Sequence, residues 1–282
     1  MAVVPHRRAV ETVSTRHCYA QSKAVSDNRV NAYDRQVLTF NPVMFLTLGN
    51  LASGTYHDLS GNRNVGTFMP MAGRPGIARL PNGSLGAQFD GSGQYVQIRS
   101  VPSLSITDTG CLTVEAWVRP AVLQFPHEEG SGYAYILGKG EPGRQEYALR
   151  MYSFRNSEVP DRPNRISAYV FNSAGGEGSG SYFQDPIVLG QWIMVTFVVD
   201  DIPSPSYPDG SIAIYKNNRL RGCVSLDQFH VIPERGNSPL RIATRNLDSY
   251  FEGAVGDVAV YDSALSSAQV GVTYRAMFAF GG

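Results

Sequence analysis

The sequence lacks most of the features that mark disulfide-rich, membrane-spanning or nucleic-acid-binding proteins. Three cysteines in 282 residues are too few for a disulfide framework, so we expect buried free thiols, with a Cys111–Cys223 bridge left open. The most apolar stretch, residues 192–199, is far shorter than the roughly 18 residues that span a bilayer. Basic and acidic residues both number 24, so no net charge attracts nucleic acid or an anionic membrane. We expect neither nucleic-acid binding nor membrane insertion.

Motifs of common enzyme classes are also missing. The chain has no Gly-x-Ser-x-Gly, no His-Glu-x-x-His and no phosphate-binding loop, and its five histidines show no metal-ligand spacing. Charged residues are only 17% of the chain. These absences count against hydrolase, zinc-protease and nucleotide-binding chemistry.

Turn formers and aromatic residues are abundant. The chain has 29 Gly, 17 Pro, 15 Tyr and 13 Phe, and about a dozen β-rich runs lie between residues 43 and 261 with turn clusters between them. No helical pattern interrupts these runs, which predicts an all-β, two-sheet antiparallel jelly-roll sandwich. One short C-terminal helix is predicted, because Ser266 and Gln269 are spaced as a capping box.

Residues 1–40 differ from the rest of the chain. They carry six basic residues against three acidic ones, contain no glycine and show no steady helical or strand period. We interpret them as an N-terminal arm for attachment to other proteins or for oligomerisation, and residues 41–282 as the jelly-roll domain. A mobile terminus is the alternative.

Six ordered segments resemble laminin-G-like domains of the concanavalin A-like lectin/glucanase superfamily. They are residues 41–49 (NPVMFLTLG), 58–67 (DLSGNRNVGT), 87–96 (AQFDGSGQYV), 112–120 (LTVEAWVRP), 190–195 (GQWIMV) and 256–266 (GDVAVYDSALS). The resemblance covers about residues 41–278 and implies two antiparallel sheets in a jelly roll. It does not fix function, because this fold carries lectins, adhesion modules, hydrolases and structural proteins.

The resemblance makes a glycoside hydrolase the least expected function. Laminarinase-like members of the superfamily carry Glu-x-Asp-x-x-Glu or a close variant on one strand, which supplies the two carboxylates of a retaining mechanism. This chain has no such run, and Glu115 stands alone in its strand. We predict that the protein is not an enzyme.

A loop with oxygen-bearing side chains suggests a structural calcium site. Residues 58–64 offer side-chain oxygens at alternate positions, and related domains often bind calcium at the rim of the sandwich. The predicted ligands are Asp58, Asn62 and Asp257. The alternative is an Asx turn in which Asp58 accepts hydrogen bonds from its own backbone.

Alternating residues on two predicted strands suggest an aromatic platform for glycans. Sugar sites usually combine an aromatic face with a few fixed polar groups. The candidate residues are Arg150, Tyr152, Tyr169, Phe171 and Tyr182. The alternative is that loops, the arm or a neighbouring subunit cover these rings.

Two functions remain after these exclusions. Laminin-G-like domains generally work outside cells, whereas the N-terminus shows no secretory signal pattern. A virion or phage-like particle would resolve this conflict, since it assembles in the cytosol and leaves by lysis. We therefore expect a non-catalytic tail or capsid decoration, oligomeric or bound in an assembly, that contacts particle proteins through residues 1–40 and host glycans through its jelly roll. The alternative is a stand-alone carbohydrate-binding lectin.

Overall fold

The computed structural model describes residues 30–172, 178–183 and 185–279. Within these residues the chain forms two α-helices and sixteen β-strands. The helices are α1 (Ala32–Leu38) and α2 (Ser267–Ala276). The strands are β1 (Met44–Leu46), β2 (Thr55–Tyr56), β3 (Gly66–Met69), β4 (Gly76–Arg79), β5 (Leu85–Asp90), β6 (Tyr95–Ile98), β7 (Cys111–Pro120), β8 (Tyr133–Glu141), β9 (Arg144–Tyr152), β10 (Ile166–Phe171), β11 (Gly178–Tyr182), β12 (Ile193–Asp200), β13 (Ser211–Lys216), β14 (Arg219–Ser225), β15 (Leu240–Ile242) and β16 (Glu252–Tyr261).

The strands form two antiparallel sheets of eight strands each. Sheet A has the order β14-β13-β12-β7-β16-β5-β4, and β1 pairs with the second half of β16. Sheet B has the order β11-β10-β9-β8-β15-β6-β3-β2. Neighbouring strands are often distant in sequence, as in a jelly roll. The predicted all-β sandwich is confirmed.

The core lies between the two sheets and follows from strand alternation. In β10, Ile166, Ala168 and Val170 point into the core, while Tyr169 and Phe171 point to the opposite face. The same alternation places Arg150 and Tyr152 of β9 on the outer face of sheet B. Sheet B therefore carries an outer face of polar and aromatic side chains.

Strand β11 lies where the sequence predicts a turn. Its sequence is Gly-Ser-Gly-Ser-Tyr, and the glycines favour a turn when only local propensity is considered. The strand forms because β10 pairs with it in full register, from Ser167 opposite Tyr182 to Phe171 opposite Gly178. Tyr182 consequently lies on a strand rather than in a loop.

Helix α2 begins at the predicted residue. Ser266 is its N-cap. Gln269 completes the capping box, because its Oε1 accepts a hydrogen bond of 2.9 Å from the Ser266 backbone N–H. Tyr274 of this helix stacks on Trp117 of β7 with ring centroids 5.9 Å apart. The predicted C-terminal helix is confirmed, and it covers the outer face of sheet A.

Part of the predicted arm folds against the sandwich. Residues 1–29 lie outside the described residues, so the arm prediction is untested there. No helix was predicted in residues 1–40, but the structure has α1, which is capped by Asn31 and Asp34. Tyr33 and Val37, one helical turn apart, are buried against the outer face of sheet A.

Three buried carboxylates lie between α1 and sheet A. Glu115 of β7 and Asp257 of β16 are almost completely buried, and Asp34 of α1 is 3% exposed. The Tyr33 hydroxyl donates to Glu115 Oε1 at 3.2 Å, while both oxygens of Asp257 lack a hydrogen-bond partner among the described residues. Burial raises the pKa of Glu115 to about 7, although hydrogen bonds from Tyr33 and Thr196 act to lower it. Burial raises the pKa of Asp34 to about 6.

Two smaller expectations concern cysteines and membranes. Cys111 and Cys223 are both free thiols, so the open question of a bridge between them is answered. Burial is the main cause that raises the pKa of the Cys111 thiol. In the described part of the chain, no helix is long and apolar enough to cross a membrane.

Candidate functional site

The five residues predicted as a glycan platform lie together on the outer face of sheet B. Arg150 and Tyr152 come from β9, Tyr169 and Phe171 from β10, and Tyr182 from β11. These strands are neighbours in the sheet, and Arg150 pairs with Ser167, which itself pairs with Tyr182. Strand alternation thus placed all five on one surface.

Arg150 is enclosed by aromatic rings. Its guanidinium carbon lies 4.0 Å from the ring centroid of Tyr133 and 3.8 Å from that of Tyr169. Its Nη2 donates to the Tyr152 hydroxyl at 2.8 Å. A desolvated cation–π contact contributes about 2 kcal/mol, so this arrangement stabilises the outer face of the sheet.

Arg162, from the loop between β9 and β10, covers the rings from outside. Its Nη1 donates to the Tyr169 hydroxyl at 2.7 Å, and its guanidinium lies 4.2 Å from the Tyr182 ring centroid. Burial alone would raise the pKa of Tyr169. The charges of Arg150 and Arg162, together with the hydrogen bond from Tyr152, outweigh burial and lower the pKa of Tyr169.

Burial separates these residues into an inner and an outer group. Tyr152 is fully buried, Arg150 is 8% exposed and Phe171 is 7% exposed, whereas Tyr169 and Tyr182 are half-buried. The ring faces of the inner group are already occupied by arginine. Of the five predicted residues, Tyr169 and Tyr182 are therefore the most accessible from solvent.

A second arginine, which was not predicted from the sequence, extends the same arrangement towards the centre of the sheet. Arg245 is fully buried, and its guanidinium lies 4.4 Å from the Tyr135 ring centroid. Its Nη2 lies 3.4 Å from Glu129 Oε1. Gly138 makes room for it, because a Cβ there would lie 2.9 Å from Arg245 Cγ. No local pattern marks an arginine in a loop as buried, so only the fold reveals it.

An open groove lies on the same face, at the end of sheet B formed by β3, β6 and the loop before β15. Its volume is about 650 Å³, within the size range of small-ligand sites. Thr67 of β3 and Gln97 of β6 are paired across the strands and point outward, opposite to the core residues Phe68 and Val96. The polar residues that line the groove are Thr67, Gln97, Arg99, Ser100, Arg235 and Asn237.

A buried ion pair fixes one wall of this groove. Lys139 and Glu146, 0% and 2% exposed, contact each other beneath the loop that contains Gly236. The Gly236 N–H donates to Glu146 Oε1 at 3.0 Å, and Lys139 Nζ donates to the Gly236 carbonyl at 3.2 Å. Burial lowers the pKa of Lys139, although the charge of Glu146 opposes this shift. The loop is thereby held in one position.

Four carboxylates of sheet B and its adjoining loops are paired with cations. The pairs are Lys139–Glu146, Arg241–Glu141, Arg245–Glu129 and Arg162–Glu158. Glycoside hydrolysis needs two carboxyl groups that flank a substrate, one of them as a proton donor. None of these four carboxylates is among the residues that line the groove.

The predicted calcium ligands lie in two different environments. Asp58 Oδ1 accepts hydrogen bonds from the backbone amides of Phe45 and Ser60, at 2.9 and 3.0 Å, and Oδ2 accepts one from Asn64 at 2.8 Å. This is the turn that the sequence offered as the alternative. Asn62 donates to the Val43 carbonyl at 3.2 Å.

Asp257, the third predicted ligand, belongs to the buried carboxylate cluster beneath α1. Its raised pKa is due first to burial and then to the charges of Asp34 and Glu115. Among the described residues, no group of three His, Cys, Asp or Glu side chains is arranged to hold a metal ion. Calcium binding at Asp58, Asn62 and Asp257 stays a prediction.

Solved structures with the same fold include carbohydrate- and receptor-binding domains. Domain 4 of AbnA, an extracellular GH43 arabinanase from Geobacillus stearothermophilus solved with arabinotriose, has a TM-score of 0.56 and 17% identity, over 83% of this chain and 98% of that domain. The botulinum neurotoxin serotype D ligand-binding domain, solved with N-acetylneuraminic acid, has a TM-score of 0.59 and 11% identity, over 85% of this chain and 52% of that one. This chain thus spans about half of the neurotoxin domain. At these identities the likeness shows the fold alone.

Sequence comparisons give a family but no close relative. No curated protein matches the chain significantly. A laminin G family model, Laminin_G_3, matches residues 90–271, which is more than half of the chain and includes β6 to β16. The chain therefore belongs to this laminin G family of the concanavalin A-like lectin/glucanases superfamily, as its sequence segments predicted.

Proposed function

We propose that this protein is a non-catalytic glycan-binding protein and that the groove on sheet B is its binding site. The observation that carries the proposal is the groove itself, an open volume of about 650 Å³ lined by hydroxyl, amide and guanidinium groups. Sugars present many hydroxyl groups, and such side chains supply matching donors and acceptors. The half-buried rings of Tyr169 and Tyr182 lie on the same face but on β10 and β11, at least four strands from β6, so they are separate from this site.

The arrangement of carboxylates supports a binding role without catalysis. Glycoside hydrolysis needs two carboxyl groups that flank the substrate, and the described residues that line the groove include none. Glu115 and Asp257, whose burial raises their pKa values, lie on the opposite sheet beneath α1 and cannot reach a ligand in the groove. Bound sugar would therefore be held but not cleaved.

Structural neighbours agree with this proposal. The arabinanase domain was solved with arabinotriose, and one neurotoxin binding domain was solved with N-acetylneuraminic acid. A third neighbour, the binding domain of botulinum neurotoxin DC, was solved with rat synaptotagmin II, so domains of this fold also bind proteins. The groove in this chain combines apolar lining from Val65, Val101, Pro102 and Pro239 with side chains that supply the donors and acceptors a glycan needs.

A glycan array tests the proposal by comparing the wild-type protein with a variant whose groove is blocked. Asn237→Trp places a large ring in the groove, whereas Asn218→Trp makes the same change at an exposed turn of sheet A. We expect wild type and Asn218→Trp to bind the same glycans, and Asn237→Trp to lose at least about tenfold in affinity, or about 1.4 kcal/mol. The proposal fails if no glycan binds or if Asn237→Trp binds as wild type does.

We further propose that the protein is a component of a virion or phage-like particle, attached through residues 1–40. Two observations support this. The segment has an excess of basic residues, and α1 holds residue 30 at the outer face of sheet A, opposite the groove. Attachment on one face would leave the other free for host or surface glycans. Sedimentation with a megadalton particle tests this role, and recovery only as a free protein would favour a stand-alone lectin.

A further inference from the structure

We infer that the groove selects saccharides that carry a carboxylate, which Arg99 and Arg235 bind. This inference rests on the proposed glycan-binding function and names the chemical class of its ligand. The two guanidinium groups line one groove, and the described lining residues include no carboxylate. A neutral sugar would leave Arg99 without a counterion and Arg235 with only the distant carboxylate of Asp108.

Arg99 is available to a ligand. It directly follows β6, and its side chain is exposed on the same face as Gln97. Within the described residues no carboxylate lies within ion-pair distance of Arg99. The ion pairs of this region are formed by Arg235 with Asp108 and by Arg241 with Glu141. A guanidinium has five N–H donors and no acceptor, and its planar fork matches the two oxygens of a carboxylate.

Arg235 lines the same groove and has only a weak partner. Its Nη1 is 3.9 Å from Asp108 Oδ1, and the two side chains are 50% and 45% exposed. Exposed pairs at such a distance contribute about 0–1 kcal/mol. A ligand carboxylate that accepts two hydrogen bonds from Arg235 can therefore replace Asp108 at little cost.

The position of Arg235 is fixed by its neighbour. Gly236 is held on both its N–H and its carbonyl by the buried pair of Glu146 and Lys139, and the carbonyl also accepts from Ser100 Oγ at 3.4 Å. A loop that is already ordered loses little conformational entropy when a ligand binds. The buried ion pair thus holds the wall from which Arg235 reaches the groove.

Neutral groups beside the arginines indicate a saccharide and not a free inorganic anion. Thr67 and Asn237 offer a hydroxyl and an amide, and Gln97 keeps its amide donors because only its Oε1 is engaged, by Arg241 at 3.1 Å. Such groups match sugar hydroxyls. Inorganic phosphate would fill only a small part of a volume of about 650 Å³.

The test uses an array that presents neutral, carboxylated and sulfated glycans to the full chain. Wild type is compared with Arg99→Gln, Arg235→Gln and the control Arg219→Gln, which changes an exposed arginine on β14 of sheet A. We expect wild type to bind carboxylated glycans, and each groove variant to lose about tenfold to a hundredfold in affinity, as for a charge-assisted hydrogen bond. Arg219→Gln should bind as wild type does.

Calorimetry with the tightest-binding carboxylated glycan and with its carboxyl-reduced form then measures how much the ligand's charge contributes to affinity. The reduced sugar should bind wild type at least about tenfold more weakly and should bind wild type and Arg99→Gln equally. The inference is overturned, and the proposed function kept, if the protein binds only neutral or sulfated glycans and this binding is blocked by Asn237→Trp but unaffected by either arginine variant. Absence of binding to every glycan overturns both.

Discussion

Glycines in β11 show how single residues shape the outer face of sheet B. A Cβ at Gly180 would lie 2.3 Å from the Tyr169 ring, and one at Gly178 would lie 2.4 Å from the Phe171 ring. These two rings stack with centroids 5.8 Å apart. The missing side chains therefore let aromatic rings lie flat over the edge of the sheet.

Gly180→Ala is expected to destabilise the protein by about 1–3 kcal/mol, the usual cost of overpacking. The added methyl displaces the Tyr169 ring, which is held by Arg150 and by its stacking on Phe171. Chemical denaturation of the variant measures the loss. Gly73→Ala is the matched control, because a Cβ there meets nothing closer than 3.4 Å. Equal stability of the two variants would contradict this account of the packing.

We expect the docking of helix α1 on sheet A to depend on the protonation of the buried carboxylates between them. It places Asp34 near Asp257 and Glu115, and Trp117 Nε1 donates to the Tyr33 hydroxyl at 3.1 Å. Arg35 is the cation nearest to Asp34, but it donates to the Val30 carbonyl at 2.8 Å. Three carboxylates in so small a volume are tolerated while most of them are neutral.

The free energy of unfolding is expected to fall as pH rises from about 5 to 7.5. Glu115 has a raised pKa in the folded state, about 7, so it binds a proton there more tightly than in the unfolded chain. Its stabilising effect is complete below the unfolded pKa of 4.5 and is lost as pH rises through 7. The slope is at most about 1.4 kcal/mol per pH unit for each such group. Urea unfolding at several pH values measures this slope.

Glu115→Gln serves as the diagnostic variant for this effect. Glutamine keeps the size of the side chain and can accept the hydrogen bond from Tyr33, but it does not titrate. We expect the variant to gain stability relative to wild type as pH rises from 5 to 7.5. The exposed Asp161→Asn should show no such trend. A pH-independent difference between Glu115→Gln and wild type would refute the role of Glu115.

The whole molecule has two outer faces with different surroundings. Sheet A is covered by α1 and α2, whose residues Tyr33 and Tyr274 pack around Trp117. Sheet B carries the arginines, the aromatic rings and the groove. This division places helix α1 and the proposed glycan site on opposite sides of the sandwich.

Particle attachment is best tested with a chain that lacks residues 1–29. Native lysate is fractionated on a density gradient and each fraction is probed for the protein. We expect wild type to sediment with a megadalton particle and the shortened chain to remain near the top of the gradient. Deletion of residues 1–40 is less informative, because it also removes Tyr33 and Val37 from a buried cluster. Co-sedimentation of the chain without residues 1–29 would contradict attachment through that segment.

Sequence patterns predicted which residues lie on the outer face of sheet B, but they did not predict how deeply each side chain is buried. Alternation in β9 and β10 placed Arg150, Tyr152, Tyr169 and Phe171 on one face, and this followed directly from a period of two. The loop that brings Arg162 over these rings follows no period. The groove was likewise not predicted, because Thr67, Gln97 and Asn237 are separated in sequence and have no shared motif.

The sequence by itself determined the sandwich and the C-terminal helix, because strand alternation, turn residues and capping are local properties of the chain. The family followed from the resemblance of six ordered segments. Only the tertiary structure decided that α1 docks on sheet A, that Arg245 is buried and that Asp257 lies beside Asp34 and Glu115. It also decided that β11 is a strand. These features depend on contacts between residues far apart in sequence, and their energies arise only when both sheets and both helices are in place.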